Sequence, residues 1–119
     1  MASLNKVQLI GRLGKAPDAR SMPNGTSVTS FSIATDESYK NKSGEKVERT
    51  EWHRIETLGP LAEICAKYLS KGKLVYIEGK LHTRKWDDKD GVSHTVTEVI
   101  ANAMQMLERA AETEEPPVE

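Results

Sequence analysis

Two rhythms of apolar and polar residues run along the chain. KVQLIGRL at 6–13 and SVTSFSIATDES at 27–38 read as strands, the second with Phe31 and Ile33 on one face and Ser30 and Ser32 on the other, as a half-buried strand requires. VERTEWHRIETLG at 47–59 and KLVYIEGKLHTRKW at 73–86 are longer and rich in β-branched and aromatic residues, and VSHTVTEVIA supplies a last strand at about 92–101. Turn residues separate them. The chain bends around Pro17, Asn24 and Gly25 of MPNG tolerate positive φ, and Asp90 and Gly91 precede the last strand. One segment keeps a different period: in PLAEICAKYLSKG at 60–72, Leu61, Ile64, Cys65, Tyr68 and Leu69 recur at helical spacing, Pro60 suits the first helical position and Gly72 a C-terminal stop. No internal repeat or low-complexity tract appears, and ETEEPPVE at the end is too acidic and proline-rich to pack well.

Five strands with one short α-helix between the third and fourth is the element order of an OB-fold, an all-β Greek-key barrel whose members bind oligonucleotides on one face. Fold alone does not fix function, so the faces must decide. Counting by two from Trp52 puts Arg54, Glu56 and Leu58 on its face, with His53, Ile55 and Thr57 opposite. Counting back from Trp86 gathers Arg84, His82, Lys80, Glu78 and Tyr76, with Val75, Ile77, Leu81 and Thr83 expected on the core side. Each tryptophan therefore shares a face with an arginine, on strands taken as adjacent.

Composition narrows what those faces can serve. At 119 residues and 13.2 kDa the chain makes one domain, expected over 1–107, followed by a short acidic tail at 108–119. The net charge of −1 conceals an asymmetry: residues 1–107 carry 16 basic and 13 acidic residues, net +3, while 108–119 carry one base and five acids, net −4. A mildly basic body is compatible with a polyanionic partner, although a mixed solvated surface would carry the same charge. No apolar run approaches the roughly 20 residues of a membrane span. MASLNKVQ enters a strand pattern at once, so neither a signal nor a transit peptide is expected. Cys65 stands alone, which excludes an internal disulfide framework and suits a reducing compartment.

The chemistry points to binding. Six aromatic residues are few, and both tryptophans lie among Glu, His, Arg and Lys rather than among apolar neighbours. A flat ring stacks on a base while a nearby guanidinium holds the phosphate. A single Trp–Arg pair is better explained by surface packing or a cation–π contact, but two such pairs on adjacent strands of one barrel favour stacking. Catalysis finds little support. His53, His82 and His94 lack metal-ligand spacing, and Cys65 falls on the apolar side of the helix. WDDKDG at 86–91 lacks the spacing and the distal Glu of a calcium loop, and Glu56 is the lone carboxylate on the ring face of the third strand. No cofactor or metal is expected.

NKVQLIGRLGKAPDAR at 5–20, MPNG, FSIATDESY at 31–39, TEWHRIETLGPLAEICAKYLSKG at 50–72, VYIEGKLHTRKWDDKDG at 75–91 and MQML at 104–107 together resemble the bacterial single-stranded DNA-binding proteins of the replication type. The resemblance implies sequence-independent binding and protection of single-stranded DNA in replication, recombination and repair, in the bacterial cytoplasm and nucleoid. A primosomal replication-restart protein of the same fold, or a protein-interaction OB module, remain the alternatives. Carried over by position, Trp52 and Trp86 match tryptophans on which bases stack, Tyr39 sits where another Trp is common, and Leu58 where Phe is common. Pro60 and His82 replace frequently basic residues, for which Lys80 is the nearest compensation. Lys6, Lys42, Lys46, Arg54, Lys71, Arg84 and Lys85 fit the family's phosphate-tracking surface. His53, Tyr76 and Glu78 fall at its subunit contacts, and a homotetramer formed partly through first strands, around 4–12, is implied. The family's acidic tip recruits other enzymes, and EEPPVE implies that this recruitment is weak or lost.

Overall fold

In the computed structural model, which describes residues 2–108, the elements follow as β1 (Val7–Leu13), β2 (Asp18–Ser21), β3 (Ser27–Asp36), β4 (Tyr39–Lys40), β5 (Lys46–Val47), β6 (Thr50–Leu58), α1 (Pro60–Tyr68), β7 (Leu74–Asp87) and β8 (Ser93–Met106). β1, β7, β8, β6 and β3 pair in that order, and Arg12 and Leu13 of β1 close the ring on Ala34 and Ile33 of β3. This closed five-stranded ring is the expected OB barrel, with α1 between its third and fourth strands in chain order. A Cβ on Gly11 would collide with the carbonyl oxygen of Ala34, so glycine is what lets the β1–β3 seam form.

Alternation fills the barrel. Leu13, Phe31, Ile33, Ile55, Val75, Ile77, Val99 and Ala101 point inward from five strands, and Cys65 and Leu69 of the helical segment join them. Two buried hydroxyls are fully partnered across this layer, Thr29 donating to the Ala62 carbonyl and Thr57 to that of Thr29, both at 2.8 Å. Cys65 is wholly buried, and desolvation pushes its thiol up to about 11, so it stays protonated. A thiol reagent at pH 8 is expected to leave the native protein unlabelled and to label it fully in guanidinium chloride. Prompt native labelling would place the thiol at the surface instead.

Several elements depart from the sequence expectation. The bend at Pro17 is followed by a short strand, β2, which pairs with Ser27–Ser30 on the same edge of β3 that β1 uses further along. DARS has no apolar rhythm, and only pairing makes it a strand. Residues 39–47 form a small ribbon, β4 with β5, extending the β3–β6 hairpin beyond a break at 37–38 and 48–49. The helix ends at Tyr68, not at Gly72, because Leu69 turns extended to enter the core. The last strand runs on to Met106. A register shift opposite Glu78 and Gly79 leaves Asn102 as an extra residue, so core positions step from Ala101 to Met104 and the period of two is lost. Leu81 was expected inside and is 51% exposed. Beyond Gly79 the β7–β8 hairpin leaves the barrel as an arm. The side chain of Asn5 ends the β1–β7 pairing there, taking both backbone groups of Leu81 at 2.9 Å.

Candidate nucleic-acid interface

The strands carrying the two rings are not neighbours. β8 lies between β6 and β7, pairing parallel with the first at Ile55–Val99 and Glu56–Ile100 and antiparallel with the second. One continuous surface therefore runs across β2, β3, β6, β8 and β7. Register places Arg20 opposite Val28, Ser30 opposite Glu56, Ser32 opposite Arg54, Ala34 opposite Trp52, His82 opposite Glu98 and His94 opposite Trp86. Charges of alternating sign cross this surface. Arg20 Nη2 stands 3.3 Å from Glu56 Oε2, Arg54 Nη2 stands 3.9 Å from Glu56 Oε1, and Glu98 accepts from Arg54 Nε at 3.3 Å and Arg84 Nε at 3.2 Å. The Ser30 hydroxyl donates to Glu56 and accepts from Arg20. Glu98 is 3% exposed, whereas the Arg54 and Arg84 side chains are 40% and 42% exposed. Their far ends face solvent.

Both rings lie beyond this ladder along the strands, toward the Ser93 end of β8. Trp52 precedes Arg54 by two along β6 and Trp86 follows Arg84 by two along β7, and they are 58% and 46% exposed, too open to be core residues. Each ring has a seat. A Cβ on Gly14 would lie 2.6 Å from Trp52 Cζ3, so the indole rests where only glycine leaves room. Trp86 stacks on His94, with centroids 4.4 Å apart and planes at 22°, and Asp88 Oδ2 holds His94 Nε2 at 2.8 Å. The hydrogen bond from His94, then the backbone amide of Val92, hold the Asp88 carboxyl below the usual aspartate range. Its support of the hairpin tip is complete above an ordinary value of about 4 and is lost as the pH falls through the lowered one. His94→Ala is expected to weaken the DNA binding that the resemblance implies by about 0.5–1.5 kcal/mol, the scale of one aromatic stacking contact, with little change in melting temperature because the arm lies outside the core. A large drop in melting temperature would make His94 a fold residue.

The other expected site residues scatter. Tyr39, half exposed, and Lys42 and Lys46 sit on the small ribbon that prolongs β3 and β6, with Lys46 3.9 Å from Glu48. Leu58, 44% exposed, lies on the ring face opposite Val28. Lys85 points to the face of the arm opposite Arg84 and Trp86, and Lys71 occupies the turn between α1 and the start of β7. Lys6 belongs to a different cluster, 3.2 Å from Glu78, whose carboxyl also accepts from Tyr76 at 2.7 Å. The Tyr76 bond, then Lys6, lower the Glu78 carboxyl below its ordinary range. Tyr76 and Glu78 thus share the outer β1–β7 surface, whereas His53 faces inward opposite Ile33 and bonds the Thr35 hydroxyl at 2.9 Å.

Sequence reading missed Glu98, His94, Arg20 and Lys15. Lys15 joins Asp18, Ser30, Ser32 and Arg54 around a cleft of about 180 Å³ beside the ladder. A count by two along VSHTVTEVIA would have put His94, Val96 and Glu98 on one face, but not against which strand. Among the described residues no cluster of His, Cys, Asp or Glu could hold a metal ion, and no helix is long and apolar enough to cross a membrane. Glu56 and Glu98, the carboxylates of the central ring face, are both spent on arginines.

Comparison with known proteins places the chain in one family. The profile of the single-strand binding protein family matches residues 4–107. A protein named single-stranded DNA-binding protein from Neisseria meningitidis serogroup A is 53% identical over 105 residues, 88% of this chain and 60% of that protein. Single-stranded DNA-binding protein 1 of Chlorobaculum tepidum is 54% identical over 105 residues, 87% of this chain and 65% of that protein. The chain thus spans about three-fifths of the length of these relatives. Among solved structures, a Plasmodium falciparum SSB in complex with ssDNA superimposes with a TM-score of 0.83 at 37% identity, covering 91% of this chain and 98% of that one. Family profile, relatives and solved structure all match over the same barrel: the chain belongs to the single-strand binding protein family.

Proposed function

We propose that this protein binds single-stranded DNA without regard to sequence and protects it during replication, recombination and repair. The observation that carries the reading is the pair of exposed, seated tryptophans beside an arginine ladder on one continuous sheet surface. Bases stack on Trp52, Trp86 and Tyr39, which costs a duplex its own stacking and pairing and so selects single strands. Arg54, Arg84 and the lysines of the ribbon neutralise phosphates. Lys15 joins them from the cleft. Lys6, tied to Glu78, serves the outer β1–β7 surface instead.

A homotetramer is part of the same reading. From Val7 to Gly11, β1 pairs with β7 but meets β3 only at Arg12 and Leu13, which leaves an edge for the first strand of a second copy. Ile10, 56% exposed beside Tyr76, adds apolar surface there. The nucleoid is the place of action because single-stranded DNA arises there. The expectation that recruitment of other enzymes is weak or lost falls on residues 109–119, which lie outside the described residues.

Titration with poly(dT) tests the function. Quenching of tryptophan fluorescence that weakens as salt rises is expected, since both rings lie at the surface and phosphate contacts release counterions. No quenching at low salt would remove the DNA reading and leave a protein-binding OB module. Light scattering after size exclusion reports the assembly, and a monomer at micromolar concentration would overturn the tetramer.

A further inference from the structure

We infer that Glu98 is a positioning residue for DNA, fixing Arg54 and Arg84 as two guanidinium forks aimed at phosphates of one strand; this rests on the DNA-binding reading above. A carboxylate at the centre of a surface for a polyanion is unfavourable on charge alone. Its placement explains the exception. Glu98 is 3% exposed, on the strand inserted between β6 and β7, and its two oxygens each accept one Nε–H, at 3.3 Å from Arg54 and 3.2 Å from Arg84. A guanidinium has five N–H donors in a rigid plane, so the four on the terminal nitrogens stay available after Nε–H is taken. For Arg54 the nearest competing carboxylate oxygen, on Glu56, is 3.9 Å from Nη2, beyond hydrogen-bond range.

Two consequences follow for binding. Rotamer freedom that an arginine would lose on gripping a phosphate has already been lost in the free protein. The ladder of Arg20, Arg54, Arg84, Glu56 and Glu98 carries a net charge of only +1, so its grip comes from aimed bidentate contacts more than from excess charge.

Glu98→Gln in the full chain separates the two accounts, because they differ in sign. The variant keeps the side-chain size and adds one positive charge overall. Positioning predicts binding to poly(dT) weakened roughly tenfold, the scale of charge-assisted hydrogen bonds lost from the free protein, despite the added charge. Charge alone predicts tighter binding. In an Arg54→Ala/Arg84→Ala background the Glu98→Gln change should cost nothing further. Equal or tighter binding by Glu98→Gln, or the same loss in the background without the arginines, overturns the role. If Glu98→Gln does not fold, the Nε–H protons of Arg54 and Arg84 in the wild-type protein decide by NMR. Slow exchange that persists with poly(dT) bound supports the clamp, and release on binding overturns it. Failure of the wild-type protein to bind poly(dT) would remove the function itself, an outcome distinct from wild-type binding that Glu98→Gln leaves intact.

Discussion

Trp52→Ala and Trp86→Ala are each expected to weaken binding to poly(dT) by about 1–3 kcal/mol while leaving the dependence on salt almost unchanged, because a stacked base is lost and a phosphate contact is not. Their effects on stability should differ little from zero at Trp86, which rides on the arm beyond the barrel, and remain small at Trp52, which rests on Gly14 with most of its ring in water. The double variant should lose close to the sum, since the rings sit on β6 and β7 with β8 between them and share no partner. Melting curves recorded beside salt-titrated affinities make the comparison. Variants that melt early yet bind normally once folded would assign the rings to the fold and strip the DNA reading of its main support.

Arg54→Ala/Arg84→Ala should show the opposite signature. The log–log salt slope is expected to flatten by about 0.7 for each phosphate contact removed. Stability should also fall, because the buried Glu98 carboxylate loses both of its cations. Stripping a buried charge of its partners costs about 3–5 kcal/mol, and the lower end applies here, since truncating two half-exposed side chains admits water to Glu98. That is a large share of the roughly 5–15 kcal/mol by which a domain of this size is stable. Adding Glu98→Leu to the double variant should restore most of the stability and none of the DNA affinity. Urea titrations of the three proteins read the first outcome and poly(dT) titrations the second. A double variant as stable as the wild type would show that Glu98 does not depend on the arginines.

The faces of β6 were legible residue by residue. Trp52, Arg54, Glu56 and Leu58 stand where counting by two puts them, because a strand paired along its full length against β3 keeps its pleat. β7 follows the same count through Ile77 and then defeats it at Leu81, where no second layer covers the arm. Burial is a property of what lies opposite, and no local pattern contains that. Lys6 makes the same point: a surface lysine in sequence, it is paired with Glu78 in the fold.

Element order, turn positions and the in-out rhythm of the barrel strands were set by interactions between near neighbours in the chain, such as the Met22–Gly25 turn and the Asp88–Gly91 turn, whose bonds span three residues. The sequence by itself therefore determined the barrel, the helix within it and the two Trp–Arg pairs. Closure of the ring decided the rest. It inserted β8 between β6 and β7 and brought Glu98 to Arg54, 44 residues away, and to Arg84, 14 away. His94 reaches Trp86 by a different route, across the β7–β8 hairpin whose register is set at the Asp88–Gly91 turn. The Glu98 pairings depend on which strand ends up beside which, a choice made by burying apolar faces from all five strands at once, and so the charged ladder beside the rings exists only in the folded chain.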